Sequence, residues 1–327
     1  MTGRKPAPVA PEVIEQMDSA EIDTLLTQLD PQISSEPALV HVRPKGATAL
    51  AVIGDTHGDW CSTEAALAWF LASPEDRGFV GLGDYIDRAP SDCPAGSAVN
   101  ALYLLSVKAA YAERVFLIQG NHEAARRIPV VPASLEEEMA SRWGKDRRRY
   151  SRLMGLLERG PLAGYTDSGV FLAHGGFPSR LASVWQDRFR NVDETLVVEL
   201  LWRDTAASST DRGLSPPFDE EDLTRFLKAT GLHVFLRGHD PNVVGQFLYG
   251  DRCLTLHTSR AYARFGGILT ARVPLDQPVR STADLEVVNL KVVRPETTDA
   301  PARRTPAPPR AARPRTERPG TPPEDAR

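Results

Sequence analysis

Five short apolar runs set the rhythm of residues 47–293. Ala49–Gly54 (ALAVIG), Phe79–Gly83 (FVGLG), Val115–Gly120 (VFLIQG), Gly169–Gly176 (GVFLAHGG) and His233–His239 (HVFLRGH) have strand length, and each closes on a polar cluster. Helical patterns lie between them, as at Thr63–Ala72 and Ser97–Ala112. This alternation predicts an α/β fold with buried strands. After His239 the pattern changes. Val243–Gly250, Cys253–Thr258, Gly267–Val273 and Leu285–Val293 read as consecutive strands without helices between them, which predicts a second, more antiparallel sheet.

The flanks differ from this body. In residues 1–46, Ile14, Met17, Ile22, Leu25, Leu26 and Leu29 recur at helical spacing. They predict one amphipathic helix or two short ones, broken and capped at Asp18 or Ser19 and ended by Pro31 and Pro37. The expected role is packing on the body, with partner binding as the lesser alternative. Residues 294–327 contain nine Pro, eight Arg and five Thr with no apolar periodicity. Such a segment buries too little apolar surface to offset its ordering entropy, so a disordered tail is expected, with partner binding as one use for it. The domain reading is therefore 1–46 as a partly helical extension, 47–293 as the folded body, and 294–327 as a Pro/Arg-rich tail.

Composition narrows the class. Apolar residues make up 41% and charged residues 25%, enough for a globular core. No apolar run reaches 18 residues, so no membrane span is expected. The N-terminus lacks the apolar stretch of a signal peptide, which points to the cytoplasm. Cys61, Cys93 and Cys253 are odd in number and far apart, which speaks against a disulfide framework or a thiolate zinc site. The tail has eight Arg against five acidic residues, +3, so residues 1–293 carry −7 of the chain's −4. An acidic body is not a nucleic-acid surface.

The chemistry sits at the ends of the five runs. Asp55 and His57 follow the first; Asp84, Asp87 and Arg88 the second; Asn121, His122 and Glu123 the third; His174 the fourth; Arg237 and His239 close the fifth. Open α/β sheets place ligands at the carboxyl ends of their strands, so five such ends converge on one site. Each motif alone is weak, since an isolated Asp-x-His or His-Gly-Gly is usually a turn. Four of the seven His fall in these motifs, each directly after an apolar strand, which removes coincidence as an explanation. Mixed Asp, His and Asn donors suit two divalent first-row ions acting on a phosphoryl group: manganese first, iron or zinc as alternatives.

The ordered set GDTHG, GDYIDR, GNHE, HGG and RGH resembles the signature of the phosphoprotein phosphatase family of serine/threonine phosphatases, within the calcineurin-like metallophosphoesterase superfamily. The resemblance covers roughly Val52 to Tyr262. Leu200-Leu201-Trp202-Arg203-Asp204 and Asp211-Arg212-Gly213 support it. It implies two packed mixed β-sheets flanked by helices, a four-layer α/β/β/α arrangement. It also implies metal ligation by Asp55, His57, Asp84, Asn121, His174 and His239, with Asp84 bridging two ions. His122 is then the general acid, oriented by Asp87, in a direct in-line attack by a metal-bridging hydroxide. Arg88 and Arg212 hold phosphate oxygens, and Tyr262 approaches the substrate. Phosphorylated proteins are the implied substrates, with small phosphoesters or dinucleoside polyphosphates as the alternative and an inactive phospho-binding module as the minor one.

Departures from the family pattern bear on substrate choice. Ala89 stands where the family has Gly, and Asp59 replaces a common Gln. His257-Thr258-Ser259-Arg260-Ala261-Tyr262 keeps only the Tyr of the family's Ser-Ala-Pro-Asn-Tyr loop. Arg260 reads equally as a phosphate-binding group or a solvated loop residue. His257 is expected to be a satisfied core or strand-end histidine, His41 to lie in a linker, and Trp202 to be core. The basic run Arg142, Lys145 and Arg147–Arg149 reads as a solvated helix face, with docking of an acidic partner as the alternative.

Overall fold

In the computed structural model, which describes residues 7–209 and 212–292, alternate side chains along each central strand enter different cores. The chain opens with helices α1 (Pro11–Gln16) and α2 (Ser19–Leu29) and strands β1 (Leu39–His41) and β2 (Ala49–Ile53). Helix α3 (Trp60–Leu71) leads to β3 (Arg77–Gly81), and α4 (Gly96–Ala110) to β4 (Val115–Leu117). Next come α5 (Leu135–Trp143), α6 (Arg147–Leu157), β5 (Ala163–Tyr165) and β6 (Val170–Ala173). Helices α7 (Glu194–Trp202) and α8 (Glu220–Thr230) then precede β7 (Val234–Arg237), β8 (Phe247–Leu248), β9 (Cys253–Thr255), β10 (Leu269–Pro274) and β11 (Glu286–Asn289).

Two mixed sheets result. One runs β11-β10-β2-β3-β4, with β2, β3 and β4 parallel and β10 antiparallel to its neighbours. The other runs β1-β5-β6-β7-β9-β8, with β6, β7 and β9 parallel. Leu50 and Val52 of β2 meet Val234 and Leu236 of β7 in a core between the sheets. Ala51 and Ile53 point the other way, into helices α3 and α4, while Phe235 of β7 packs with α7 and α8. The period of two along a strand thus builds four layers, α/β/β/α.

The strands after His239 do not form a sheet of their own. Strands β8 and β9 extend the sheet of β7, whereas β10 and β11 complete the sheet of β2. The chain crosses where His257 pairs with Asp55 in an isolated parallel bridge, and β10 then pairs Ala271 with Val52. Inward-facing Leu269, Ala271 and Val273 supply the apolar surface that β2 requires beside it.

The N-terminal helices break at Asp18, whose carboxylate accepts from Ala20 N and Glu21 N while Glu21 accepts from Asp18 N. This reciprocal cap satisfies backbone donors that a helix start leaves open. Ile14, Ile22, Leu25, Leu26 and Leu29 bury against the core under α4–α6. Most of the basic run is the solvated face expected, with Arg142, Lys145, Arg147 and Arg148 exposed, while Arg149 grips the Asp23 carboxylate with two bonds of 2.9 Å and Arg142 donates to Glu15 O. His41 lies in β1, stacked on Tyr165 and 2.8 Å from Asp167, rather than in a linker. All three cysteines are buried and none forms a disulfide. Among the described residues no helix is long and apolar enough to cross a membrane. The expected tail falls outside the described residues.

Candidate metal centre and phosphate pocket

Five tight turns at strand ends carry the polar residues. His57 (φ 45°), Asp84 (55°), Asp87 (63°), Arg88 (56°) and His239 (75°) all adopt left-handed backbone conformations. Such conformations are uncommon for residues with a Cβ and concentrate at sites where surrounding structure fixes them. Two glycines make the approach of these turns feasible. A Cβ on Gly120 would stand 2.2 Å from Asp84 Oδ1, and one on Gly238 would stand 2.2 Å from Asp55 Oδ1.

Carboxylates tie the turns together. Asp55 Oδ1 accepts from His239 N at 2.8 Å, and Asp84 Oδ1 from His122 N at 3.0 Å. Glu123 accepts from Asp84 N, Tyr85 N and Gly120 N at 2.7–2.8 Å. Its place in the third motif was visible; its job as a backbone tie was not. Asn100 donates to Thr56 Oγ1 and Tyr85 O, both at 2.8 Å, from a helix that carries no motif. Arg237 is fully buried and points away from the cluster, donating to Gly175 O, Arg203 O and Thr255 Oγ1.

The imidazoles are oriented in one sense. His57 Nδ1 donates to Ile86 O and His174 Nδ1 to Leu82 O, each at 3.0 Å. A carbonyl only accepts, so these nitrogens hold the proton and a neutral ring turns a bare Nε2 inward. Donor atoms of Asp84, His174 and His239 lie within 4.8 Å of one another, as do those of His57, Asp84 and His122. Asp84 belongs to both groups. Asp55 Oδ2 stands 3.7 Å from His57 Nε2. The inner atom of the Asn121 carboxamide lies 3.0 Å from His174 Nε2 and 3.1 Å from Asp84 Oδ2.

This set fits cations. Asp55 Oδ2 and His122 Nε2 are buried with no hydrogen-bond partner, and His239 Nδ1 faces His174 Nε2 at 3.1 Å. With its oxygen inward, Asn121 adds one more acceptor to a group of acceptors, which only positive charge satisfies. Burial pushes the Asp55 carboxyl up to about 7, against the pull of His174. Burial also opposes ionisation of Asp84, but His174, His122 and His57 hold it well below the usual carboxylate range. Burial works against charge on His174 too, yet Asp84 and Asp55 carry it up to about 9. Burial drives His57 down to about 3, and burial with Arg212 and His174 drives His239 down as well. Positive charge is therefore drawn to the point where the two carboxylates converge.

His122 and Asp87 form a second unit. His122 Nδ1 and Asp87 Oδ2 are 2.6 Å apart, with both side chains buried. Asp87 Oδ1 accepts from Ser134 N and Leu135 N at the start of α5. Two backbone N–H groups of the helix start thus hold one oxygen of Asp87 while the other fixes the ring. Burial disfavours charge on His122, but Asp84 and Asp87 outweigh it and hold its pKa above the ordinary value.

A cavity of about 420 Å³ opens on this cluster, lined by Asp84, Asn121, His239, Arg88 and Arg212 together with Val130, Val131 and Trp202. Arg88 donates to Tyr262 Oη and Val131 O, each at 3.3 Å. Arg212 pairs with Asp204, whose Oδ1 lies 3.6 Å from His239 Nε2. Asp211 of the same motif lies outside the described residues. Trp202 is part of the core, as expected, and also borders this cavity, its ring 6.1 Å from that of His239. Of the eleven residues singled out from the sequence, Asp84, Arg88, Asn121, Arg212 and His239 line this cavity.

Two expectations fail here. Arg260 is not free to hold phosphate: its guanidinium contacts Asp59, Asp92 and Cys93. That contact also fills the cluster of Asp59, Cys61 and Cys93, whose donor atoms otherwise resemble a third metal site. His257 is not a satisfied histidine. It is 1% exposed and neither ring nitrogen has a hydrogen-bond partner.

Residues 48–243 match the family described as calcineurin-like phosphoesterase. The serine/threonine-protein phosphatase PP2A-like PPG1 of Candida albicans is 26% identical over 270 residues, covering 79% of this chain and 60% of that protein. The chain therefore spans about 60% of the length of this curated relative. A Saccharomyces cerevisiae protein serine/threonine phosphatase with similarity to human phosphatase PP5 superposes with a TM-score of 0.65 at 22% identity, over 86% of this chain and 92% of that one. A cold-active protein tyrosine phosphatase gives 0.52 at 17% identity, over 79% of this chain and 82% of its own. At these identities both structures establish likeness of fold.

Proposed function

Because the chain belongs to the calcineurin-like phosphoesterase family, we propose that it is a metal-dependent phosphomonoester hydrolase, with phosphoserine and phosphothreonine of proteins as its substrates. One observation carries this reading. Two guanidinium groups, Arg88 and Arg212, line the same cavity as an acceptor cluster built for cations. That pairing suits a dianion whose phosphorus is to be attacked.

Asp55, His57 and Asp84 would hold one divalent ion, and Asp84, Asn121, His174 and His239 the other. Manganese suits this mixed oxygen and nitrogen set, with iron or zinc as alternatives. When bound, such ions supply charge neutralisation and a nucleophile at neutral pH. The remaining work belongs to side chains. Arg88 and Arg212 bind the phosphate oxygens, since planar guanidinium forks match them. Both forks are pre-positioned, Arg88 by Tyr262 and Val131, Arg212 by Asp204. His122 turns an unpartnered Nε2 toward the cluster, 3.9 Å from Asp84 Oδ2. From there it delivers a proton to the departing alkoxide, and Asp87 keeps the ring aimed. Residues 47–293 form the catalytic unit in this reading, with α1 and α2 packed on it.

The likeness to a serine/threonine-protein phosphatase supports the protein substrate. The test is turnover by Mn²⁺-loaded protein of a phosphoserine peptide, p-nitrophenyl phosphate and a dinucleoside tetraphosphate. Preference for the peptide is expected. Preference for the dinucleotide would move the assignment to a small-molecule phosphoesterase. No turnover of any of the three would leave a phosphate-binding module.

A further inference from the structure

His257 stands just beyond β9, where the chain crosses from one sheet to the other. Its backbone is fixed from three sides. Thr258 N donates to Asp55 O at 2.8 Å, Leu269 N to His257 O at 2.7 Å, and Gly54 N to Thr258 Oγ1 at 3.0 Å. The ring is therefore aimed by the fold rather than by its own hydrogen bonds, and it has none.

The imidazole faces the metal cluster. His257 Nε2 lies 3.3 Å from Asp55 Oδ2, and that oxygen is itself buried and unpartnered. The two atoms are close but lack the alignment of a donor and an acceptor. Their spacing fits two ligands of one ion. Atoms about 2.1 Å from a shared cation stand roughly 3.0 Å apart at adjacent octahedral corners and about 3.4 Å apart at tetrahedral ones. His57 Nε2 approaches the same Asp55 oxygen at 3.7 Å. The Tyr262 ring stands 5.3 Å from both imidazoles, roofing them on the cavity side.

We propose that His257 is a seventh protein ligand of the metal centre, binding through Nε2 beside Asp55 on the side held by His57. The inference rests on the metal-centre reading above. It accounts for two buried orphan atoms together: Asp55 Oδ2 and His257 Nε2 gain an ion between them, and Nδ1 carries the proton of the neutral ring. It also gives this position a function that its place at the end of an apolar strand conceals.

The test uses the full chain. Wild-type protein, His257→Phe and His257→Gln are titrated with Mn²⁺ under competition with a chelating dye, and the loaded samples are read by electron spin-echo modulation for coordinated histidine nitrogen. The expected result is about a tenfold or greater loss of affinity at one of two ions in both variants, with one fewer coordinated imidazole. Circular dichroism of the metal-free proteins checks that each variant folds, and the glutamine variant retains polarity at the site should phenylalanine disturb it. Unchanged affinity and an unchanged nitrogen count overturn the assignment of His257. Failure of wild-type protein to bind Mn²⁺ at all overturns the metal centre itself.

Discussion

Arg260 closes on Asp59 across 201 residues of chain: its backbone N reaches Asp59 Oδ2 at 2.7 Å and its Nε reaches Oδ1 at 3.0 Å. Asp59 is fully buried at the start of α3, and Arg260 opens the short helical turn that carries Tyr262. The two most visible departures from the family pattern are therefore one interaction. It fixes by a charge pair the turn that carries Tyr262, whose Oη accepts from Arg88.

Removing the guanidinium leaves a buried carboxylate held only by Ser62 Oγ and the backbone N of residue 260, with no charge opposite it. Arg260→Ala is expected to cost about 3 kcal/mol, within the range for an orphaned buried partner. Asp59→Asn combined with Arg260→Ala should recover much of it, because no charge remains buried. Urea unfolding midpoints of the two singles and the double measure the coupling, and strict additivity would refute it.

In the proposed reaction, the cost of losing His122 should depend on the leaving group. A phenolate departs readily without a proton, whereas a serine alkoxide does not. His122→Asn is expected to slow a phosphoserine peptide by about 10²–10⁴-fold, and p-nitrophenyl phosphate by far less. Asp87→Asn should follow the same pattern at smaller size, since it disturbs the aim of the ring. Equal losses on both substrates would give His122 a role other than proton delivery.

How much of this was readable beforehand follows from where each property resides. The metal-type residues were legible because each motif is local: a strand, a turn and a donor within six residues, as in Gly54–Gly58. Asp59 and Arg260 were legible only as oddities, since their meaning lies in a contact between distant segments. His257 was misjudged for the same reason, because its neighbours in sequence are apolar and its neighbour in space is Asp55. Strands β1 and β5 have three residues each, too short for a period of two to register. Periodicity marked β8 to β11 as strands but says nothing about partners, so their division between two sheets emerged only from the fold.

The guanidinium pair makes a prediction about product. Inorganic phosphate carries no leaving group, so its inhibition reports Arg88 and Arg212 without the acid. Each substitution to Ala is expected to weaken phosphate inhibition by about 10–100-fold, as for loss of a charged hydrogen bond. Arg88→Lys should recover little, because a point charge lacks the fork. Inhibition constants at fixed Mn²⁺ decide this; an unchanged constant for either variant removes that arginine from the pocket.

Metal removal should register as lost stability even where no substrate is present. Without cations, Asp55 and Asp84 are buried beside ligand atoms that face them with lone pairs, and Asp55 Oδ2 has no partner. An ion that binds only the folded chain adds about 2.7 kcal/mol at a concentration of 100 Kd, equivalent to roughly 5 °C or more for a domain of this size. The melting temperature is therefore expected to rise with the logarithm of Mn²⁺ concentration and to return to the chelated value with excess EDTA. Asp84→Asn, which removes the carboxylate shared by both donor groups, should flatten that dependence, while Arg88→Ala should leave its slope intact. The contrast matters because both residues line the same cavity, yet only Asp84 belongs to the donor groups. A slope retained in Asp84→Asn would mean that the ions stabilise the fold from somewhere else.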